Sequence, residues 1–462
     1  MLKTLSIENF KSFSEKQLID LAPLTLIFGP NSSGKSSIIH SLLALKQTIN
    51  NPNESEKFIS TGKYVDLGSF GTVVYKHNLE NKIVISLSFT SNLPLEQYEK
   101  KYSKKPIFGI DDVRTIEVCY SGCEDSQKKY KSTLEYFDYE AAQKNNHESL
   151  VKFRLEQNIN SLKELNYFIP QSYIQKLTSY LVRKEKRSGN NKLDPEIYNA
   201  LIKPEYRFIT ESSIPFKNNH FDTLPLVSQF FSSVSDEIKN ELASLIHLGP
   251  LRTYPKRFYA SDDESPTNNK GETNIGAKLY EADDKAKGEI NSWFESFEIP
   301  YKFITKNIGN YGTGDVIAVI LQDSRSKVKV TPADVGFGIG QVLPIIIDST
   351  ILENKIICVE QPEIHLHPRL QAHLADLFIN SIKSNNNQWI VETHSEALML
   401  RIQRRIREGQ ISPRDIKILY VDNSQNGSVV MDIPLNSKGD FLKHWPDGFF
   451  EERISEMFGE QK

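Results

Sequence analysis

LTLIFGPNSSGKSSIIHSLLALKQTI, residues 24–49, is the stretch whose reading decides the fold. It opens with Leu24–Phe28, a short apolar run of the kind that lies buried inside a sheet. It closes with Ile38, Leu42, Leu45 and Ile49, apolar positions that recur at helical spacing. Between them, GPNSSGKS at residues 29–36 fits the pattern G-x-x-x-x-G-K-[ST], in the strand–loop–helix setting that the pattern requires. Gly29 and Gly34 let the backbone curl through Pro30, Asn31, Ser32 and Ser33, so that successive N–H groups face an anion. The positive end of the helix beginning near Lys35 adds to that field. Such a loop cradles a nucleoside triphosphate. Lys35 neutralises charge on the β- and γ-phosphates, and the Ser36 hydroxyl coordinates Mg²⁺.

Two further strand ends carry chemistry. IICVEQPEIHLHP, residues 356–368, ends an apolar strand in Glu360 and so places a carboxylate at the C-terminal edge of the sheet. Ligands sit at that edge in open α/β folds, and a carboxylate there can hold the Mg²⁺ shell directly or through water. His365 and His367, with Glu360 and Glu363 nearby, admit a zinc or manganese reading, but no full ligand set is visible, and loop residues at an interface are the plainer alternative. VETHS, residues 391–395, ends a third apolar strand, where His394 can reach a γ-phosphate or polarise an attacking water.

KIICVE (355–360), QWIVET (388–393) and IKILYV (416–421) read as buried parallel strands separated by helices, a βαβ architecture. The start of the chain reads as paired strands around Leu5, Ile7 and Leu18–Leu21, and residues 64–120 as β-rich. From Asp125 to Leu245 the text turns rich in Lys, Glu, Asn and Tyr, and stretches such as ESLVKFRLEQNINSLKELNYF (148–168) read as helical. The expected divisions are 1–124, an N-terminal lobe with the phosphate loop; 125–245, an inserted and mainly helical lobe; and 246–462, a C-terminal lobe. Residues 261–274, SDDESPTNNKGETN, read as a loop.

With 462 residues, 39% of them hydrophobic and 25% charged, the chain has the make-up of an ordinary globular protein. A net charge of -3 gives no overall basic bias, so nucleic-acid binding would need a local patch. LMLRIQRRIREGQ (398–410) offers one in Arg401, Arg404, Arg405 and Arg407, against the plainer reading of a solvated helix face with Leu398, Ile402 and Ile406 inward. Cys119, Cys123 and Cys358 show no metal-ligand spacing. No leader peptide or membrane-spanning run is visible, and the expectation is a cytoplasmic protein with no membrane partner.

SIENFKSF, GPNSSGKS, EQPEIHLHP and ETHS, in that order, resemble the ABC-type ATPases grouped with the SMC, RecF and OLD proteins. DLGSF (66–70), LGPLRTYPKRFY (248–259), DVGFGIGQVLP (334–344) and WPDGFF (445–450) make the chain similar to stand-alone OLD-like ATPases such as PtuA of the Septu anti-phage systems. The resemblance spans residues 1 to about 80 and 245 to 458 and leaves the inserted lobe aside. It implies an α/β, two-lobed ABC-type P-loop head that pairs with a second copy or a larger homo-oligomer, with ATP and Mg²⁺ in the interface. Gly29 to Ser37 would bind phosphates on one subunit. The turn Gly336–Gln341, including Gly338, Gly340 and Gln341, would meet the γ-phosphate on the other. His365 and His367 would lie at the dimer contact, and Lys11 would approach the nucleotide.

The chain departs from this pattern at three points. Gln361 stands where a glutamate usually orients the attacking water, so hydrolysis would be slow or would use Glu363 or His394. The signature turn carries no hydroxyl, and no Q-loop glutamine can be placed. No TOPRIM nuclease domain is expected, so the resemblance implies a separate effector such as a nuclease or toxin, in bacterial defence. A non-hydrolysing dimerisation switch and a RecF-like DNA-repair ATPase are the alternatives.

Overall fold

The computed structural model describes residues 1–51, 57–90, 111–124, 130–144, 149–157, 163–168, 208–210, 225–252, 256–260, 275, 278–279, 282–311 and 314–446. The loop at 261–274 and part of WPDGFF lie outside them. Two compact units emerge: residues 1–20 with 40–243, and residues 21–39 with 244–462. The divisions differ from those expected in sequence. The phosphate-loop strand belongs with the C-terminal residues.

The first unit is built on an antiparallel sheet. Its strands are β1 (Leu2–Glu8), β2 (Gln17–Asp20), β4 (Ile83–Phe89), β5 (Val113–Glu124), β6 (Tyr130–Ala142), β7 (Ser149–Gln157), β8 (Lys163–Phe168) and β9 (Phe208–Thr210). They run in the order β2-β1-β4-β5-β6-β7-β8-β9. The unit also holds the single turn α2 (Phe70–Val73) and the helix α3 (Pro225–Ala243). Val234, Ile238 and Leu242 are buried at four-residue spacing on α3.

Here the helical expectation for 125–245 is corrected. Residues 149–157 and 163–168 are strands, and among the described residues this segment holds one helix. The reason shows in β7, where Val151, Phe153 and Leu155 are buried in strict alternation while Lys152 stays exposed. A period of two is a strand's, whatever the helix preference of the Lys, Glu and Leu that fill it. These strands extend the sheet begun by β1 and β4.

The second unit has a six-stranded sheet in the order β10-β15-β16-β3-β17-β18. Its members are β3 (Leu24–Phe28), β10 (Leu245–Leu248), β15 (Ile356–Glu360), β16 (Gln388–Glu392), β17 (Ile416–Ser424) and β18 (Gly427–Asp432). All pair in parallel except β17 with β18. The fully buried runs of β3, β15 and β16 explain why they read as continuous apolar text. A second, antiparallel sheet joins β11 (Phe258–Ala260), β12 (Tyr301–Asn307), β13 (Val316–Asp323) and β14 (Lys329–Val330).

Among the described residues, four helices complete this unit: α4 (Asp284–Ser296), α5 (Phe337–Ile351), α6 (Pro368–Asn385) and α7 (Glu396–Arg407). One core joins sheet and helices, with Trp389 fully buried against Phe378 at a ring separation of 4.5 Å. The helix after the loop, α1 (Lys35–Ile49), starts in this unit and continues into the other. The result is a mixed α/β fold, with sheets flanked by helices. Among the described residues, no helix is long and apolar enough to cross a membrane.

Candidate functional site: a phosphate loop facing two strand-end carboxylates

The parallel register fixes the site. Glu360 ends β15 opposite Glu392, which ends β16, and Glu392 lies opposite Ile27 of β3. Phosphate loop, Glu360 and the ETHS turn are thereby set side by side at one C-terminal sheet edge, as the sequence led us to expect. The loop's backbone needs its glycines: φ is 145° at Gly29 and 100° at Gly34. Ser32 also takes a left-handed conformation, at 62°. The first turn of α1 leaves N–H groups without intrahelical acceptors, which suits an anion.

Lys35 folds back over the loop, donating to the carbonyls of Gly29 at 3.1 Å and Pro30 at 2.7 Å. Burial lowers its pKa, and the carboxylates of Glu392 and Glu363 partly offset that. The Ser36 hydroxyl donates to Glu392 Oε2 at 2.7 Å. Glu392 was quoted in sequence only inside QWIVET and VETHS, with no role given to it. Its position as an acid at a strand end, the argument applied to Glu360, was the signal that could have found it.

Glu360 is held from outside the motifs. Its Oε1 lies 2.7 Å from His247 Nε2, on the neighbouring β10. Arg252 donates to the Glu360 carbonyl at 2.9 Å. Neither His247 nor Arg252 was singled out in sequence. A lone histidine in LIHLGP and the arginine of GPLR carry no spacing signal, and only the β10–β15 pairing brings them in.

Glu363, the first alternative base, spends both oxygens on the ETHS turn. Oε2 accepts from the Thr393 hydroxyl at 2.8 Å and Oε1 from the His394 N–H at 2.7 Å. Burial raises its pKa. It therefore acts here as a clamp on the turn. At His394, burial first and the charge of Lys35 second lower the pKa, which favours the uncharged imidazole with one ring nitrogen as acceptor. Gln361 takes a left-handed φ of 44° and donates its N–H to the Glu392 carbonyl at 2.7 Å.

The Gly336–Gln341 turn has its own surroundings. A methyl on Gly338 would come 2.6 Å from the His365 carbonyl, so this glycine is required by the HLHP turn packed against it. Gly340 is buried. Gln341 is fully buried and exchanges two hydrogen bonds of 3.2 Å with the backbone of Arg252. Its amide is a structural tie between α5 and the Arg252 segment. His367 caps α6, accepting from the Arg369 N–H. Among the described residues no three His, Cys, Asp or Glu side chains form a metal cluster, at His365 and His367 included. Lys11, on the other unit, reaches the Leu67 carbonyl at 3.4 Å.

The donor set fits a hard divalent cation. Ser36, Glu360 and Glu392 offer only oxygen, the chemistry that Mg²⁺ takes when phosphates and water complete its shell.

A family model described as AAA ATPase domain matches residues 1–399. A comparison with curated proteins finds no match. Among solved structures, the chain is similar to an SMC head bound to the C-winged helix domain of ScpA, with 13% identity over 94% of this chain and 98% of that one, TM-score 0.45. It is similar to the SMC head domain from Thermotoga maritima, with 11% identity over 94% and 99%, TM-score 0.38. A third is the SMC head with an extended coiled coil bound to the C-terminal domain of ScpA from Pyrococcus furiosus, with 13% identity over 94% and 96%, TM-score 0.43. The chain thus belongs to the AAA ATPase domain family, and it is a P-loop ATPase that binds ATP.

Proposed function

We propose that this ATPase binds ATP with Mg²⁺ between two copies of itself and uses the nucleotide to set an assembly state in a bacterial anti-phage system. The observation that carries the reading is the convergence of Lys35, Ser36 and Glu360 on one sheet edge, with His394 two residues past the end of β16. Lys35 would leave the Gly29 and Pro30 carbonyls for the phosphates. Bound Mg²⁺ would draw charge off the β- and γ-phosphates. Glu360, fixed by His247 and Arg252, and Ser36 would hold that ion. Gln361 cannot take a proton from water as a carboxylate can, so turnover is slow and falls to His394. The N-terminus of α5, offered by Gly336 and Gly338, would meet the γ-phosphate bound by the second copy.

The placement in the OLD- and PtuA-like group rests on DLGSF, LGPLRTYPKRFY, DVGFGIGQVLP and WPDGFF. In that role the protein is a sensor or scaffold, and a separate effector, a nuclease or toxin, is held or released. Direct DNA loading has less support. Arg401 and Arg405 are paired with Asp376, Arg404 with Glu408 and Arg407 with Asp440, while Leu398, Ile402 and Ile406 are buried. Light scattering with and without ATP–Mg²⁺ tests the proposal: mass should double or rise further with ATP and stay at the lower value in Gly338→Asp. An unchanged mass with bound ATP would remove the dimer from the account.

A further inference from the structure

The hydrogen of Ser36 is already committed. Its Oγ donates to Glu392 Oε2 at 2.7 Å. A serine hydroxyl has one hydrogen and two lone pairs. With the hydrogen turned to Glu392, the lone pairs face away from that carboxylate, which is the orientation a cation ligand needs. Glu392 is 3% exposed, so its orientation is set by packing and not by solvent. Its backbone is pinned as well: its carbonyl accepts the Gln361 N–H at 2.7 Å, and its strand register places it opposite Glu360. Glu360, by contrast, commits Oε1 to His247. Two acids thus share the sheet edge, and the one joined to the phosphate-loop serine is Glu392.

We infer that Glu392 is the acid that orients Ser36 toward the divalent cation and stands beside its ligand shell, with Glu360 as the second carboxylate. The assignment rests on the reading of Ser36 as a ligand of nucleotide-bound Mg²⁺. It assigns the ETHS turn two tasks. Glu392 serves the metal side, and His394, two residues on, serves the phosphate side. Glu363 ties the turn that joins them. A carboxylate that both accepts from the hydroxyl and carries negative charge favours the cation. An amide of the same shape can still meet the hydroxyl but brings no charge.

The test is Mn²⁺ binding, read from the free-ion EPR signal in the presence of saturating ADP, alongside fluorescent ATP-analogue affinity in EDTA. The variants are Glu392→Gln, Glu360→Gln and Lys35→Ala. Glu392→Gln should weaken Mn²⁺ about tenfold or more while leaving metal-free nucleotide affinity within about twofold, as expected for a group in or next to a metal shell. Thermal melting without metal confirms that the variant is folded, and Glu392→Asp provides a second variant with the charge retained. Undiminished Mn²⁺ affinity in a folded Glu392→Gln protein would overturn the assignment. If the parent binds nucleotide in EDTA but shows no Mn²⁺ binding, the assignment also falls. If the parent binds no nucleotide at all, the failure is that of the underlying site reading, and Lys35→Ala will then match the parent.

Discussion

Gly29→Ala places one carbon where the fold has no room for it. An added Cβ would lie 2.1 Å from the Val421 carbonyl oxygen of β17 and 3.0 Å from Ser33 Oγ. Ordinary contact begins near 3.4 Å, so more than an ångström must be recovered, and the obstacle is backbone in a paired strand. The φ of 145° adds a conformation that L-residues avoid, at about 1–3 kcal/mol. Overpacking adds about 1–3 kcal/mol more. Either the second unit loses a total of about 2–6 kcal/mol, or the loop swings away from β17 and its anion cradle opens. The first outcome lowers the melting temperature by about 2–4 °C per kcal/mol for a unit of this size. The second leaves melting near the parent value and abolishes ATP binding. Calorimetry and a fluorescent-ATP titration, run on the same preparation, distinguish them. Gly336→Ala is the control, since its Cβ would meet nothing within 4 Å, and its melting should stay at the parent value. Parent-like melting together with parent-like ATP affinity in Gly29→Ala would refute the steric argument.

Three other consequences can be measured. Gln361→Glu should raise ATP turnover about tenfold or more without tightening ATP, as restored general-base chemistry contributes at least that much; an unchanged rate in steady-state assays would assign the proton transfer to His394 alone. The Asp334 carboxyl, held to about 2 first by the Thr331 hydroxyl and then by Arg257, has a folded pKa below its unfolded value. Its contribution to stability is therefore present above about pH 4 and is lost as pH falls toward 2; comparing acid melting curves for the parent and Asp334→Asn should show the difference between them shrinking over that window, and an NMR titration of the carboxyl near its ordinary value would contradict it. Reversing Arg404 and Arg407 to Glu should leave any DNA affinity and its salt slope unchanged, because these guanidinium groups already meet Glu408 and Asp440; a loss of steep salt dependence in filter binding would restore the DNA reading.

The parts legible in sequence share one physical property. Leu24–Phe28, Ile356–Glu360 and Gln388–Glu392 are buried on both faces, so they write themselves as apolar runs ending in functional residues. The glycine pattern of residues 29–36 was legible for the same reason, since only that spacing permits the turn. The strand β7 was not, because Lys152 and Arg154 alternate with Val151, Phe153 and Leu155 and give the stretch a helix former's composition. His247, Arg252 and Glu392 depend on strand neighbours distant in sequence, and a hydrogen bond between residues 356 positions apart leaves no local trace. The tie between the Gln341 amide and the Arg252 backbone, another distant neighbour, leaves no local trace either.

ATP turnover with Mg²⁺ by the purified chain, against Lys35→Ala and Glu360→Gln, tests the central claim most directly. The account predicts a slow but measurable rate in the parent, loss of ATP binding in Lys35→Ala, and retained binding without turnover in Glu360→Gln. Turnover that survives Lys35→Ala at the parent rate would contradict the claim that this sheet edge is the ATPase site.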